Sequence, residues 1–181
     1  MAAVLYMSRL LRLAPLVLFG LVLAGLVWRL AVPADTNVES RLTGQSVPEF
    51  ETPALIEGKS GLSSADLRGR GPRLVNVFAS WCVPCIAEAQ LLGELKEKGV
   101  AIDGIAIRDR PEDVARFLAE HGDPFERIGD DPQSRVQIAF GSSGVPESFI
   151  VDGKGIIRYQ HIGPIEADDM ATILSRLKAA R

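Results

Sequence analysis

Two cysteines, Cys82 and Cys85, are the only thiols of the chain, and two residues separate them. Two thiols at this spacing can close a disulfide within one helical turn. The pair can therefore switch reversibly between a dithiol and a disulfide by exchanging two electrons. It comes shortly after the apolar run at residues 74–78. The residues predict redox chemistry where a buried strand ends and the next element begins.

A structural disulfide and a zinc site are the alternatives for such a pair. A structural bridge gains most when it closes a long loop, and a bridge between these two cysteines closes almost nothing. Structural zinc takes four ligands, and the chain adds only His121 and His161, at no ligand-like spacing. Thiol–disulfide exchange is favoured, with no metal and no cofactor besides the cysteine pair.

The position of each residue in the motif predicts its role. A strand-to-helix junction places Cys82 at the helix N-terminus, where free N–H groups and the helix dipole stabilise a thiolate. Cys82 is then the thiol that attacks a substrate disulfide. Cys85 lies one turn further on, faces inward and resolves the mixed disulfide. Pro84 suits the first turn of the helix, and Trp81 can shield the sulfur.

The elements that position this motif follow from hydrophobic periodicity and turn signals. Short apolar runs alternate with helical patterns from residue 44 onward, and residues 152–155 are typical of a hairpin turn. This order predicts an α/β fold, a mixed sheet covered by helices on both faces. The predicted strands are 50–55, 73–78, 100–107, 125–128, 148–151 and 156–159, and the predicted helices are 84–98, 111–121, 132–140 and 165–180.

The N-terminal region differs in charge from the rest of the chain. Residues 1–34 hold three arginines and no acid, whereas the whole chain has a net charge of −3. The remainder is therefore acidic, and it has no basic cluster, which argues against a nucleic-acid partner. Residues 13–28 carry no charge, and about 20 apolar residues cross a bilayer.

This pattern predicts a single-pass membrane anchor. Residues 1–12 are then cytoplasmic by the positive-inside rule, 13–32 form the transmembrane helix, 33–43 a linker and 44–181 an exported domain. A cleaved signal peptide is the alternative. A lipoprotein is excluded because no cysteine lies near the apolar stretch.

Several motifs together resemble a known family. They are VNVFASWCVPC at 75–85, GVPESFIVD at 144–152, GQSVPEF at 44–50, DLRG at 66–69 and IRYQHIGP at 157–164. The chain resembles thioredoxin-like proteins. More closely, it is similar to the membrane-anchored thiol:disulfide interchange proteins of bacterial cytochrome c biogenesis, called CcmG or DsbE. The likeness runs from about residue 44 to residue 164 and implies a thioredoxin-like fold. It also implies that the anchor lies in a bacterial inner membrane and that residues 44–181 are a periplasmic domain.

The resemblance also implies site residues outside the cysteine motif. The bond between Val145 and Pro146 is expected to be cis, and the Val145 backbone to pair with an extended substrate segment; an ordinary trans turn is the alternative. Typical thioredoxins have a buried Asp where this chain has Asn76. Glu88 and Glu147 can fill that vacant role, raising the cysteine pKa and moving protons. Alternatively, both are solvated surface acids.

The chain departs from the family near the cysteines. Relatives often have a basic residue after the second cysteine and a His-Pro further along the helix, where this chain has Ile86 and Ala89-Gln90. Residues 104–109 match the family pattern Gly-Ile-Asn-Tyr-Lys-Asp loosely. These departures concern which partner docks at the site and leave the thiol chemistry intact.

The function implied is that of a reductant. It keeps the Cys-x-x-Cys-His cysteines of apocytochrome c reduced, directly or through a cytochrome-assembly thiol protein, with electrons from a membrane carrier of the CcdA or DsbD type. General disulfide reduction, oxidation or isomerisation is the main alternative, and an apocytochrome holdase is a non-enzymatic one. Peroxide reduction is disfavoured by Ala79, where peroxiredoxins have Thr or Ser. Copper delivery is disfavoured by the two-residue spacer.

Overall fold

The computed structural model describes residues 2–31 and 42–181. Helix α1 spans Ala2–Ala31, and residues 42–181 form a compact unit of their own. In the described parts of the chain, no helix has both the length and the hydropathy needed to cross a membrane. Most of the expected linker at 33–43, together with residues 1 and 32 of the expected N-terminus and anchor, lies outside the described residues.

Within residues 42–181, five strands form one sheet in the order β5-β4-β3-β6-β7. β3 pairs with β4 in parallel and β4 with β5 in parallel, whereas β6 is antiparallel to both β3 and β7. A two-stranded antiparallel sheet joins β1 to β2. The strands are β1 Glu51–Thr52, β2 Leu62–Ser63, β3 Arg73–Phe78, β4 Ala101–Ile107, β5 Arg127–Asp131, β6 Glu147–Val151 and β7 Ile157–Ile162.

Helices cover both faces of the larger sheet. The helices are α2 Val83–Glu97, α3 Pro111–His121, α4 Arg135–Ala139 and α5 Met170–Ala179, with a 3₁₀ turn at Ala167–Asp169. Side-chain contacts place α2, α3 and α5 on the face that carries Asn76 and Phe78 of β3. The short α4 lies on the opposite face, where Phe140 meets Phe149 of β6.

Phenylalanine rings fill the core on each side of the sheet. Phe78 stacks on Phe125 with ring centroids 4.6 Å apart. This stack needs Gly104 on β4, because a Cβ added there would lie 2.8 Å from Phe78 and 3.0 Å from Phe125. The packing therefore fixes the end of β3, which leads directly into the cysteine motif.

A buried ion pair holds the opposite end of β3. Arg73, 3% exposed, donates from Nε to Oδ2 of the fully buried Asp103 at 2.5 Å, and from Nη2 to Glu126 at 2.6 Å. Arg73 and Phe78 are the first and last residues of the strand. The charged pair and the cysteines therefore lie at opposite ends of the same strand.

Most of the expected elements form, and several of their bounds differ from the prediction. The strand expected at 125–128 begins at Arg127 and runs to Asp131, whose carboxylate accepts the N–H groups of Arg135 and Gln137 at the start of α4. The strand at 50–55 shortens to two residues, and it pairs with β2, which was not among the predicted strands. The hairpin's second strand extends to Ile162. The last helix starts five residues late, after a 3₁₀ turn.

Candidate active site

The cysteine pair lies where β3 passes into α2. Cys82 has extended backbone angles and caps the helix, and its Sγ accepts the N–H of Cys85 at 3.2 Å. Pro84 lies in the first turn of the helix, where a backbone N–H would have no acceptor within the helix, so the absence of this group in proline costs no hydrogen bond. Sulfur at a helix N-terminus with an N–H donor is the environment that stabilises a thiolate. The predicted place of Cys82 is confirmed.

The two cysteines form a disulfide with their Cα atoms 5.2 Å apart. Cys85 is 1% exposed and lines a narrow crevice with Asn76, Glu88 and the Phe78 ring. The inward orientation predicted for Cys85 is therefore confirmed. Cys85 therefore shares this crevice with the carboxyl group of Glu88 and the amide of Asn76.

The loop after β4 holds the residues just before Cys82. The Asp109 carboxylate accepts the Ser80 N–H at 2.5 Å and the Ser80 hydroxyl at 2.8 Å. Trp81 donates its indole N–H to the carbonyl oxygen of Arg108 at 3.2 Å. Trp81 is 56% exposed, so one face of the indole is open to a partner beside the disulfide. Its predicted shielding of the sulfur stays a prediction.

A second loop carries the proline expected to face the cysteines. The bond between Val145 and Pro146 is cis, which confirms the expectation and excludes the trans turn. Gln137 of α4 and Ser142 both donate to the carbonyl of Gly144, one residue before Val145. These bonds fix the backbone of the loop. Substrate pairing by Val145 stays a prediction.

Glu147 lies at the start of β6 and is 1% exposed, so it is not a solvated loop acid. One carboxylate oxygen accepts the N–H and the hydroxyl of Ser143, and the other accepts Gln160 Nε2 at 3.0 Å. Glu147 thus ties the loop that carries Pro146 to β7. In the sheet register it pairs with Val77, next to Asn76. Because neighbouring strand residues point to opposite faces, Glu147 and Asn76 lie on opposite faces of the sheet.

Glu88 lies on α2, one turn after Cys85, and is also 1% exposed, so it is not a helix-surface acid. Its Oε1 accepts Asn76 Nδ2 at 3.0 Å, and its Oε2 accepts the backbone N–H of Ile165 at 2.9 Å. The structure therefore brings Asn76, Cys85 and Glu88 together in one crevice. Typical thioredoxins have a carboxyl group on the strand, where this chain has Asn76; here Glu88 on the helix contributes a buried carboxyl group beside that residue.

Burial raises the pKa of Glu88 from its ordinary 4.5 to about 7. The N–H of Ile165, the amide of Asn76 and, when it is protonated, the imidazole of His161 oppose this rise. A carboxyl with a pKa near neutrality can take up and release a proton at physiological pH.

Several contacts of the site were not anticipated. The bonds from Ser80 to Asp109 and from Asn76 to Ser148 join residues far apart in sequence, and no local sequence pattern predicts them. Ile86, the departure after the second cysteine, is 37% exposed on the same helix turn. Among the described residues, no group of three or more His, Cys, Asp or Glu could hold a metal ion.

Comparisons with known proteins agree with this geometry. The Redoxin family matches residues 42–174. The thiol:disulfide interchange protein DsbE of Escherichia coli (strain K12) is 37% identical over 164 residues, 88% of each chain. The DsbE homolog of Paracoccus denitrificans is 38% identical over 142 residues, 78% of each chain. HelX of Rhodobacter capsulatus, another thiol:disulfide interchange protein, is 38% identical over 135 residues, 74% of this chain and 76% of its own.

Solved structures show the same architecture. A thiol:disulfide interchange protein DsbE from Chlorobium tepidum superposes with a TM-score of 0.60 at 26% identity, over 76% of this chain and 96% of its own. The dsbF protein of Mycobacterium tuberculosis has a TM-score of 0.62 at 22% identity, over 75% of this chain and 100% of its own, and shows the fold alone. The fold is thioredoxin-like. With its Cys82–Cys85 pair, the chain belongs to the Redoxin family and is a thiol–disulfide oxidoreductase of the DsbE group of thiol:disulfide interchange proteins.

Proposed function

We propose that the chain is a membrane-anchored periplasmic reductant that serves cytochrome c maturation. The observation that carries this proposal is the position of Cys82, which caps α2 and accepts the Cys85 N–H beside a buried carboxyl group, Glu88. The dedication to cytochrome c is supported by the motifs that resemble that family, chiefly those at 75–85, 144–152 and 157–164.

The proposed reaction is a two-step disulfide exchange. The Cys82 thiolate attacks one sulfur of a substrate disulfide, and the other substrate sulfur leaves as a thiolate that takes a proton from water. Cys85 then loses its proton and attacks Cys82 Sγ, which closes the Cys82–Cys85 disulfide and releases the second substrate sulfur as a thiolate that takes a proton from water. Two electrons pass from the dithiol to the substrate. A carrier of the CcdA or DsbD type returns two electrons to the pair.

Glu88 is the proposed acceptor of the Cys85 proton. As a carboxylate, Glu88 accepts Asn76 Nδ2. Once protonated, it needs an acceptor instead, and Asn76 Oδ1 is buried and has no hydrogen-bond partner among the described residues. Rotating the Asn76 amide by a half turn presents that oxygen to the new hydroxyl. The amide can therefore serve both protonation states of Glu88.

The two buried acids favour reduction over oxidation. A carboxylate near the pair repels a thiolate and so destabilises the dithiol form relative to the disulfide. A strong oxidant of this chemistry has a stabilised reduced form. Glu88, which lines the same crevice as Cys85, and Glu147, which follows Pro146 in the chain, are the two acids proposed to do the opposite.

Membrane anchorage is a further part of the proposal. It rests on the uncharged sequence at 13–28 and the arginines on its N-terminal side, and it places residues 44–181 in the periplasm. Protease treatment of spheroplasts tests this: the domain should be digested while the N-terminal segment stays in the membrane fraction. A shortened chain in the soluble periplasmic fraction would instead identify a cleaved signal peptide.

Trapping the partner tests the proposed role. A Cys85→Ala variant of the full chain should accumulate mixed disulfides on Cys82, because nothing resolves them. Non-reducing gels and mass spectrometry should then identify apocytochrome c or a cytochrome-assembly thiol protein. The Cys82→Ala/Cys85→Ala double variant is the matched control. Capture of many unrelated periplasmic proteins, and of neither expected class, would favour a general disulfide reductase.

A further inference from the structure

A polar row crosses three strands beneath α2. In the sheet register Asn76 of β3 pairs with Ser148 of β6, and Ser148 pairs with His161 of β7. Residues paired across antiparallel strands point to the same face, and here the Asn76 amide donates to Ser148 Oγ at 3.0 Å. The same amide donates to Glu88. The row therefore leads sideways from Glu88 to the last strand of the sheet.

Burial changes along this row. Glu88, Asn76 and Ser148 are 1%, 0% and 1% exposed, whereas the His161 side chain is 12% exposed and β7 is the edge of the sheet. His161 Nε2 lies 3.1 Å from the carbonyl of Pro164 and 3.6 Å from Oδ2 of Asp169. His161 is thus the point at which the buried polar cluster reaches the surface.

The charged and titratable groups around Glu88 and His161 come from four elements. Glu88 faces Cys85 on its own helix and His161 on β7, and the protonated form of His161 lowers the Glu88 pKa against the effect of burial. His161 faces Glu88 on α2 and Asp169 on the 3₁₀ turn. On α5, Arg176 covers the Tyr159 ring, two residues before His161 on the same strand face.

We propose that His161 is the residue through which the proton that Glu88 takes from Cys85 leaves the protein. The inference deepens the proposed function, because it rests on Glu88 as the acceptor. When Cys85 attacks Cys82 Sγ, its proton passes to the Glu88 carboxylate. The neutral imidazole of His161 then accepts that proton, through Ser148 Oγ or a water beside it, and releases it to solvent next to Asp169. An imidazole is the side chain best suited to this transfer near neutral pH.

The test uses the reduced full chain and an aromatic disulfide that releases a coloured thiolate, 5,5′-dithiobis(2-nitrobenzoate). The first coloured equivalent reports attack by Cys82, and the second reports attack by Cys85. In His161→Gln and His161→Ala we expect the first rate to be unchanged and the second to fall about tenfold near pH 7. Added imidazole should restore the second rate in His161→Ala. His121→Ala is the matched control, since His121 lies on α3 against Phe117.

Three outcomes overturn the inference. In the first, the rate of the Cys85 step in both His161 variants equals the rate in the unmodified chain at every pH. In the second, the Cys85 step is slowed, imidazole does not restore its rate, and its pH profile is unchanged. His161 would then only hold the segment at Pro164 in place. The third comes from Glu88→Gln in the same assay. If that variant is slow and the His161 variants are not, only the exit route fails; if Glu88→Gln is not slow, the proposed role of Glu88 itself fails.

Discussion

Glu88 Oε1 and Asn76 Nδ2 are 3.0 Å apart, and both side chains are buried beneath the disulfide. This bond joins the second turn of α2 to the centre of β3. It places a carboxyl group near Cys85 although the strand itself offers only an amide. The titration of this one carboxyl group should therefore be visible both in stability and in thiol chemistry.

Glu88 should make stability depend on pH in a defined window. Its pKa is about 7 when folded against an ordinary 4.5, so the folded state binds the proton more tightly. That stabilisation is complete below pH 4.5 and is lost as the pH rises through 7. The free energy of unfolding of the oxidised chain should fall by about 3 kcal/mol across this window.

Glu88→Gln should remove most of this fall, because the amide does not titrate. Denaturant unfolding at a series of pH values measures it. Glu120→Gln, at a side chain that is 61% exposed on α3, is the control and should follow the unmodified chain. Parallel curves for Glu88→Gln and the unmodified chain would show that Glu88 stays charged when buried.

The buried acids should also act on the nucleophile. In the reduced chain, Glu88→Gln and Glu147→Gln should each lower the pKa of the Cys82 thiol, because a negative charge is removed near the thiolate. The pH dependence of alkylation by iodoacetamide measures this pKa, and Glu120→Gln again is the control. A Cys82 pKa that is the same in all four proteins would refute the assignment of either acid to this role.

Gly104 should not tolerate a side chain. Gly104→Ala adds a Cβ against the stacked rings of Phe78 and Phe125, and such overpacking costs about 1–3 kcal/mol. Gly93→Ala is the matched control, since nothing lies within 4 Å of a Cβ in the middle of α2. It should stabilise the chain by up to about 1 kcal/mol. Urea unfolding compares them, and a neutral Gly104→Ala would contradict the tight packing described for this face.

The buried pair of Arg73 and Asp103 should matter for stability and not for thiol exchange. Arg73→Met removes the Nε donor of the buried Asp103 carboxylate and leaves it only Arg127, whose Nη1 lies 3.8 Å from Oδ1; breaking a buried pair in this way costs up to about 3–5 kcal/mol. Arg73→Met/Asp103→Leu should recover much of that loss. Both variants should keep the exchange rate of the unmodified chain at low denaturant, because the pair lies at the far end of β3. A slowed rate in the folded variants would link this pair to the active site.

The sequence predicted the parts of the site that are local. The cysteine motif, its strand and helix, and the turn at 152–155 depend on neighbours within a few residues, and they form as expected. Local patterns could not predict the burial of Glu88, because the Ile165 N–H that donates to its carboxylate lies 77 residues away in the sequence. The predicted end of β5 was wrong for a related reason, since Asp130 and Asp131 look like loop residues until β4 and α4 supply their partners.

The reduction potential of the Cys82–Cys85 pair is the measurement that tests the reductant assignment most directly. Equilibration of the full chain with glutathione or dithiothreitol buffers gives its value. We predict a potential close to that of thioredoxin, about −270 mV, because the neighbouring acids destabilise the thiolate. A value near that of the strong oxidant DsbA, about −120 mV, would contradict a reducing role for this chain.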